Sequence, residues 1–134
     1  MKKIQKLTAV LFVLAFITAL TGCNLLGSLL PNVINSNLHG NSWTIQATGT
    51  GHTEKSLSFT AAQLAKLEAD IQFVGGSAKL IMTQGGFSRT TKLHGAGIST
   101  GTISINTTGF MPDSQIVMRV EVSKITGGQT TISW

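Results

Sequence analysis

Apolar and polar residues alternate along most of the chain from Trp43 onward. Ile45 and Ala47 continue the apolar positions begun by Trp43, and the same alternation recurs at residues 57–59, 71–73, 103–105 and 116–122. A period of two with glycine-rich breaks predicts half-buried strands that have one face on a core and one in water. Such strands are mostly antiparallel.

Residues 77–93 predict a β-hairpin, because two alternating runs flank the Gly85-Gly86 pair. Glycine supplies the positive φ that a two-residue hairpin turn needs. This turn fixes the register, so Lys79 is expected directly opposite Lys92. A last strand is predicted at residues 129–134, which would tie down the end of the chain.

One segment departs from the alternation. Thr60 and Gln63 fit a capping box, in which each side chain satisfies a backbone N–H of the other. The residues that follow are strong helix formers, and we predict one short helix at 61–68. With about seven or eight strands besides, the chain is predicted to be all-β, an antiparallel β-sandwich of immunoglobulin-like or jelly-roll type. A small barrel is the alternative.

The first 22 residues follow a different pattern. Residues 1–6 hold three lysines and no acidic residue, whereas residues 7–20 are uncharged and mostly apolar. A cationic start and a short apolar run predict a secretory signal peptide. The run is shorter than the roughly 20 residues that a membrane-spanning helix needs. A buried N-terminal helix is the alternative, but it leaves the lysines unexplained.

Leu20-Thr21-Gly22-Cys23 follows that run and contains the only cysteine of the chain. This tetrapeptide resembles the lipobox of bacterial lipoproteins. The resemblance implies that Leu20, Thr21 and Gly22 are recognised by a signal peptidase. It also implies that Cys23 becomes the first mature residue and carries the lipid, a diacylglycerol with further acylation such as palmitate. The protein is then expected at the cell membrane or outer membrane, lipid-anchored, with its domain outside the cytoplasm.

The predicted organisation has three parts: a signal peptide at 1–22, a lipidated tether at 23–42 and the β-sandwich domain at 43–134. The tether is rich in Asn, Ser and Gly, and Pro31 interrupts any helix that its leucines begin. Two alternatives stay open for those leucines, an interfacial segment on the bilayer or a linker packed loosely on the domain.

The charge of the chain argues against nucleic acid as a partner. The formal charge is +5, and removal of the three lysines of the signal peptide leaves about +2. A nucleic-acid-binding protein needs a clustered basic face. Because a single cysteine cannot form an internal disulfide, the stability of the domain must come from its apolar core.

The sequence contains no catalytic constellation that we recognise. The three histidines do not have the spacing of zinc ligands. His52 with Glu54, and Glu68 with Asp70, share strand faces in the predicted pattern, but a solvated position is favoured over acid–base chemistry. We therefore predict no enzyme activity, no catalytic residues, no metal and no cofactor.

Three residues are candidates for ligand binding. Lys79 and Lys92 place like charges opposite each other, which suits an anionic group; the alternative is that both extend into water near Glu121. Phe110 is either an exposed sugar platform beside Phe87 or a lid on the core, and the lid is favoured.

The predicted function is a membrane-anchored, non-catalytic domain that binds or scaffolds an envelope or protein partner. A carbohydrate- or polyanion-binding module is the alternative.

Overall fold

The computed structural model describes residues 32–95 and 100–134, which contain eight β-strands and one short helix. The strands are β1 (Val33–His39), β2 (Ser42–Ser58), β3 (Glu68–Val74), β4 (Ser77–Gln84), β5 (Phe87–His94), β6 (Gly101–Ser104), β7 (Gln115–Ile125) and β8 (Gly127–Ser133), and the helix is α1 (Ala61–Lys66). All pairings among these strands are antiparallel. The predicted all-β fold with one short helix is therefore confirmed. The predicted signal peptide, its lipobox and Cys23 lie outside the described residues.

β2 is 17 residues long and belongs to two sheets. Its first half pairs with β1 and β8, and its second half pairs with β7. The pairing with β7 shifts register between Gly49 and Gly51, and Gly49 has a φ of +85°. A bulge of this kind bends a strand and increases its twist. β2 thus passes from sheet A, in the order β1-β2-β8-β3-β6, into sheet B, in the order β5-β4-β7-β2.

The two sheets enclose one apolar core. The period of two is plain in β3, where Ala69, Ile71 and Phe73 are buried and the residues between them are exposed. The sheets curl until β3 and β5 meet, with the Phe73 and His94 rings 6.2 Å apart between centroids. The arrangement is therefore nearly closed, with two facing sheets that share a strand.

α1 begins at the predicted capping box. Thr60 Oγ1 accepts a hydrogen bond from the Gln63 N–H at 3.2 Å, and the Thr60 N–H donates to Gln63 Oε1 at 2.9 Å. The helix ends at Lys66, slightly short of the predicted end, because Glu68 already belongs to β3. Leu64 is buried, so α1 links β2 to β3 while contributing to the core.

β1 lies within the segment that the sequence predicts to be a tether. It pairs with residues 42–48 of β2 through a two-residue turn at Gly40-Asn41. Only Ile34 among its seven residues is partly buried, so burial leaves no period of two in this stretch. The backbone ladder with β2 holds β1 in place, so this part of the predicted tether pairs with the domain as a strand.

Gly76 lies in the tight turn between β3 and β4. Gly85, in the turn between β4 and β5, serves as its matched control. Their φ angles are +61° and +58°, so alanine strains the backbone similarly at both positions. A Cβ at Gly76 would lie 2.6 Å from the carbonyl oxygen of Lys124, whereas a Cβ at Gly85 meets nothing within 4 Å. We expect Gly76→Ala to lower the free energy of unfolding by about 2–4 kcal/mol and Gly85→Ala by about 1–2 kcal/mol. Urea denaturation measures both, and equal losses would contradict the steric argument.

Candidate functional site

A charged row crosses the outward face of sheet B. It runs over β2, β7, β4 and β5 and consists of His52, Glu121, Lys79 and Lys92. The predicted placement of Lys79 opposite Lys92 is confirmed by the register of β4 and β5. Local hairpin geometry thus brings the two candidate lysines together, whereas Glu121 joins them through the pairing of β4 with β7.

Two cations bind the carboxylate of Glu121. Lys79 Nζ lies 3.3 Å from Oε2, and Arg119 Nε donates to Oε1 at 2.9 Å. The hydrogen bond from Lys79 is the main cause that lowers the pKa of Glu121, with further contributions from its charge and from Arg119, while partial desolvation opposes them. Arg119 also approaches Glu54, with Nη1 3.7 Å from Oε1. The charge of Lys79 is therefore largely compensated on the protein.

Lys92 differs from Lys79, since it forms no ion pair with any residue in the described ranges. A cleft of about 260 Å³ beside it is lined by Lys79, His94 and Glu121 among other residues. His94 Nδ1 is buried and has no hydrogen-bond partner within the part of the chain that the structure describes. This cleft can hold a small anionic group at Lys92, next to a carboxylate that limits its affinity.

Phe110 does not join the two lysines. Its side chain is 8% exposed and packs edge-to-face on Phe87, with centroids 4.9 Å apart. Gln84 fixes the loop, because its Oε1 accepts from the Met111 N–H at 2.7 Å and its Nε2 donates to the Met111 carbonyl at 2.9 Å. Gln84 ends β4, at the other end of this strand from Lys79. Phe110 is thus a lid on the core, as favoured, and does not offer an exposed ring face to a sugar.

The two pairs that the sequence offers for acid–base chemistry are solvent-exposed. His52 and Glu54 lie on the outward face of β2, and Glu68 and Asp70 lie on the outward face of β3. The two pairs belong to different sheets. Across residues 32–95 and 100–134, no three His, Cys, Asp or Glu residues are placed to hold a metal ion.

A second row, which sequence reasoning missed, crosses the outward face of sheet A. This carboxamide row consists of Asn35 on β1, Gln46 on β2, Gln129 on β8 and Gln72 on β3, each paired with the next in register. Gln46 Nε2 donates to Gln129 Oε1 at 3.5 Å, which shows that these two side chains meet. A cleft of about 480 Å³ is lined by all four carboxamides, and Gly128 also lines it.

Hydroxyl groups flank the carboxamide row. In the adjacent cross-strand row, Thr44 Oγ1 and Thr131 Oγ1 lie 3.1 Å apart, and Thr102 occupies the corresponding position on β6. The strand positions on this outward face include no Lys or Arg in the described residues, and Glu68 and Asp70 are its acidic members. Over β1, β2 and β8 the described face therefore has no Asp, Glu, Lys or Arg, and it is acidic toward β3.

Comparison of the chain with protein-family models, curated proteins and solved structures gave no significant match. Among the residues described, no helix has the length and apolar character that crossing a membrane requires. The charged row and the carboxamide row are thus the structural features from which a function can be inferred.

Glu121→Gln tests the ion pairs of the charged row. A carboxyl group whose pKa falls on folding stabilises the protein above its ordinary pKa of 4.5, and this contribution is lost as the pH falls through the lower folded pKa. We expect the substitution to lower the free energy of unfolding at neutral pH by about 0.5–1 kcal/mol, since the pairs are partly exposed. This difference in the free energy of unfolding between variant and wild type should vanish at acid pH. Urea titrations measure it, with Glu68→Gln as a control for charge; a deficit independent of pH would contradict the assignment.

Proposed function

We propose that this chain is a bacterial lipoprotein, anchored through Cys23, whose β-domain binds an envelope polymer or a protein partner without catalysing a reaction. The lipobox after a lysine-rich, apolar leader supports the anchor. Each buried CH₂ of an acyl chain contributes about 0.8 kcal/mol, so two or three chains hold a protein stably at a membrane. The first described strand begins at Val33, ten positions after Cys23, so a lipid on Cys23 would keep the domain close to the bilayer.

The carboxamide row is the observation that carries the binding role. Each carboxamide offers two N–H donors and one carbonyl acceptor, and hydroxyl groups can satisfy both. A neutral, hydroxyl-rich polymer is therefore the ligand class that fits this face best. The absence of Lys and Arg from the described part of the face removes the main attraction for anionic polymers.

The spacing of the row also suits a glycan. Neighbouring strands lie about 4.8 Å apart, which is close to the advance per ring of an extended pyranose chain. A glycan that crosses the strands can thus meet one carboxamide per ring over β1, β2, β8 and β3. The cleft of about 480 Å³ lies within the usual size range of small-ligand sites. Because none of the described residues that line this cleft is aromatic, we expect binding to depend on hydrogen bonds along the row.

A polyanion-binding role for Lys79 and Lys92 is the second candidate. It is favoured by Lys92, which has no ion pair with a described residue and lines the same cleft as Lys79. It is the weaker candidate because Glu121 already binds Lys79 and repels an incoming anion. The two candidates use opposite sheets, so separate substitutions distinguish them.

Cys23→Ser tests the anchor. In bacteria that produce the full-length chain and are fed a labelled fatty acid, we expect the wild-type protein to incorporate the label and the variant to lose it. Asn24→Ala, which changes the adjacent residue, serves as the control and should keep the label. Label in the Cys23→Ser protein, or none in the wild type, would contradict lipidation at this cysteine.

Gln46→Ala and Gln129→Ala test the carboxamide row. In native gels that contain a neutral polysaccharide, we expect the wild-type chain to be retarded and each variant to bind roughly 2–10-fold more weakly, as loss of one hydrogen bond implies. Gln115→Ala removes an exposed carboxamide from sheet B and should have no effect. Retardation only by an anionic polymer, abolished by Lys92→Ala, would support the second candidate. Retardation by neither would overturn both glycan assignments.

A further inference from the structure

β1 is an unprotected edge of sheet A. In the described residues its one partner strand is β2. Natural proteins usually block edges with charges, prolines, bulges or very short strands. β1 has seven residues, and none of them is Asp, Glu, Lys, Arg or Pro. By contrast, β5 carries Arg89 and Lys92 at the edge of sheet B, and β6 at the other edge of sheet A has four residues.

Some backbone N–H and C=O groups of β1 are hydrogen-bonded to β2, and the others point away from β2. The Trp134 N–H donates to the Asn41 carbonyl at 3.0 Å, so the odd-numbered residues at the start of β2 face β8. Hydrogen-bonding direction alternates along a strand, and Thr44 therefore faces β1. Its register partner Asn37 directs its own N–H and C=O toward β2.

The remaining residues of β1 direct their backbone groups away from β2. By the same alternation, the N–H and C=O of Ile34, Ser36 and Leu38 point to the free edge. Their three N–H and three C=O groups can therefore hydrogen-bond to a further strand. The side chain of Leu38 is 42% exposed on the other side of this strand from the carboxamide row.

The sequence of β1 is self-complementary about Ser36. When two β1 strands run antiparallel with Ser36 opposite Ser36, each Ile34 lies opposite the Leu38 of the other copy, and each Asn35 lies opposite its Asn37. Ile34 with Leu38, Ser36 with Ser36, and Leu38 with Ile34 are then hydrogen-bonded pairs, in which the two opposed residues donate and accept both N–H···O=C bonds. The apolar and polar sides also match, with leucine against isoleucine and carboxamide against carboxamide.

We propose that β1 pairs with β1 of a second copy of this chain in this register. The pairing joins the two sheets A into one continuous sheet and extends the neutral face that carries the carboxamide row. A seven-residue strand pair is a small interface, and it depends on a high local concentration of the two copies.

The anchor of the proposed function supplies that concentration, and this step rests on it. Asn32 follows Cys23 by nine positions, which allows a reach of about 30 Å. Antiparallel β1 strands start about 20 Å apart, given 3.4 Å per residue. Both lipid-bearing cysteines can therefore reach the same bilayer while the strands pair.

Ser36→Cys provides the direct test. Opposed Cα atoms at a hydrogen-bonded position lie about 5.5 Å apart, within the range that a disulfide bridges. In membranes from bacteria that produce the full-length variant, we expect mild oxidation to convert most of it to a disulfide-linked dimer. Ser88→Cys, an exposed serine on the edge strand β5, is the matched control and should stay monomeric. Equal dimer yields from the two variants would overturn the pairing.

A second substitution tests the register through charge. Leu38→Lys added to Ser36→Cys places two ammonium groups at the strand pair, and we expect the dimer to be lost. Val74→Lys, at an apolar side chain 63% exposed outside β1, should leave the dimer of Ser36→Cys intact. Thermal unfolding followed by the fluorescence of Trp43 and Trp134, which both pack in or against the core, checks that each variant is folded. Persistence of the dimer in Leu38→Lys, or a cross-link to a different protein, would overturn self-pairing.

If Cys23 is not lipidated, the oxidation experiment gives a result that can be told apart from failure of the strand pairing. A disulfide dimer of the wild-type chain would report an unmodified Cys23 and would overturn lipidation. In that case the cross-linking of Ser36→Cys is compared with that of Ser88→Cys in a Cys23→Ser background. The same difference between the two variants then supports or overturns the strand pairing.

Discussion

The backbone of β2 holds both sheets together, because one half pairs with β1 and β8 and the other half pairs with β7. Trp43 and Ile45 from its first half are fully buried, and Leu57 from its second half packs on the same core. The bend at Gly49 and Gly51 turns one half toward the other. A straight β2 would leave the apolar faces of the two sheets uncovered, so burial of the core depends on this bend.

Elements with one buried face could be predicted from the sequence, because burial imposes a period of two on the residues. The β4–β5 hairpin and the capping box at Thr60 follow from local rules, and the structure contains both. β1 could not be predicted in this way, since Ile34 is the one partly buried residue of its seven and the strand is held mainly by its backbone ladder with β2. Lipidation of Cys23 remains a prediction, because the motif lies outside the described residues.

The carboxamide row could not be predicted because its members come from four strands that are far apart in sequence. Gln129 meets Gln46 and Gln72 only through the pairing of β8 with both β2 and β3, which no local pattern specifies. The charged row shows the same division, since the hairpin places Lys79 opposite Lys92 but only the long-range pairing with β7 adds Glu121. The ion pairs of Lys79 and Arg119 on sheet B and the uncharged carboxamides on sheet A favour short-range hydrogen bonding over long-range electrostatic steering of a partner.

The way in which β1 joins the fold determines how the domain responds to mechanical force. A pull applied before Asn32 first loads the hydrogen bond from the Thr50 N–H to Asn32 Oδ1, and then Val33, which pairs with Thr48 at the open end of the β1–β2 hairpin. The hydrogen-bonded positions then separate one after another toward Gly40 instead of sharing the load. β2 itself stays paired, with β8 along its first half and with β7 along its second half, so the core stays closed while β1 separates. β1 therefore separates at low force before the core is loaded, which would lengthen the connection to the anchor that we propose.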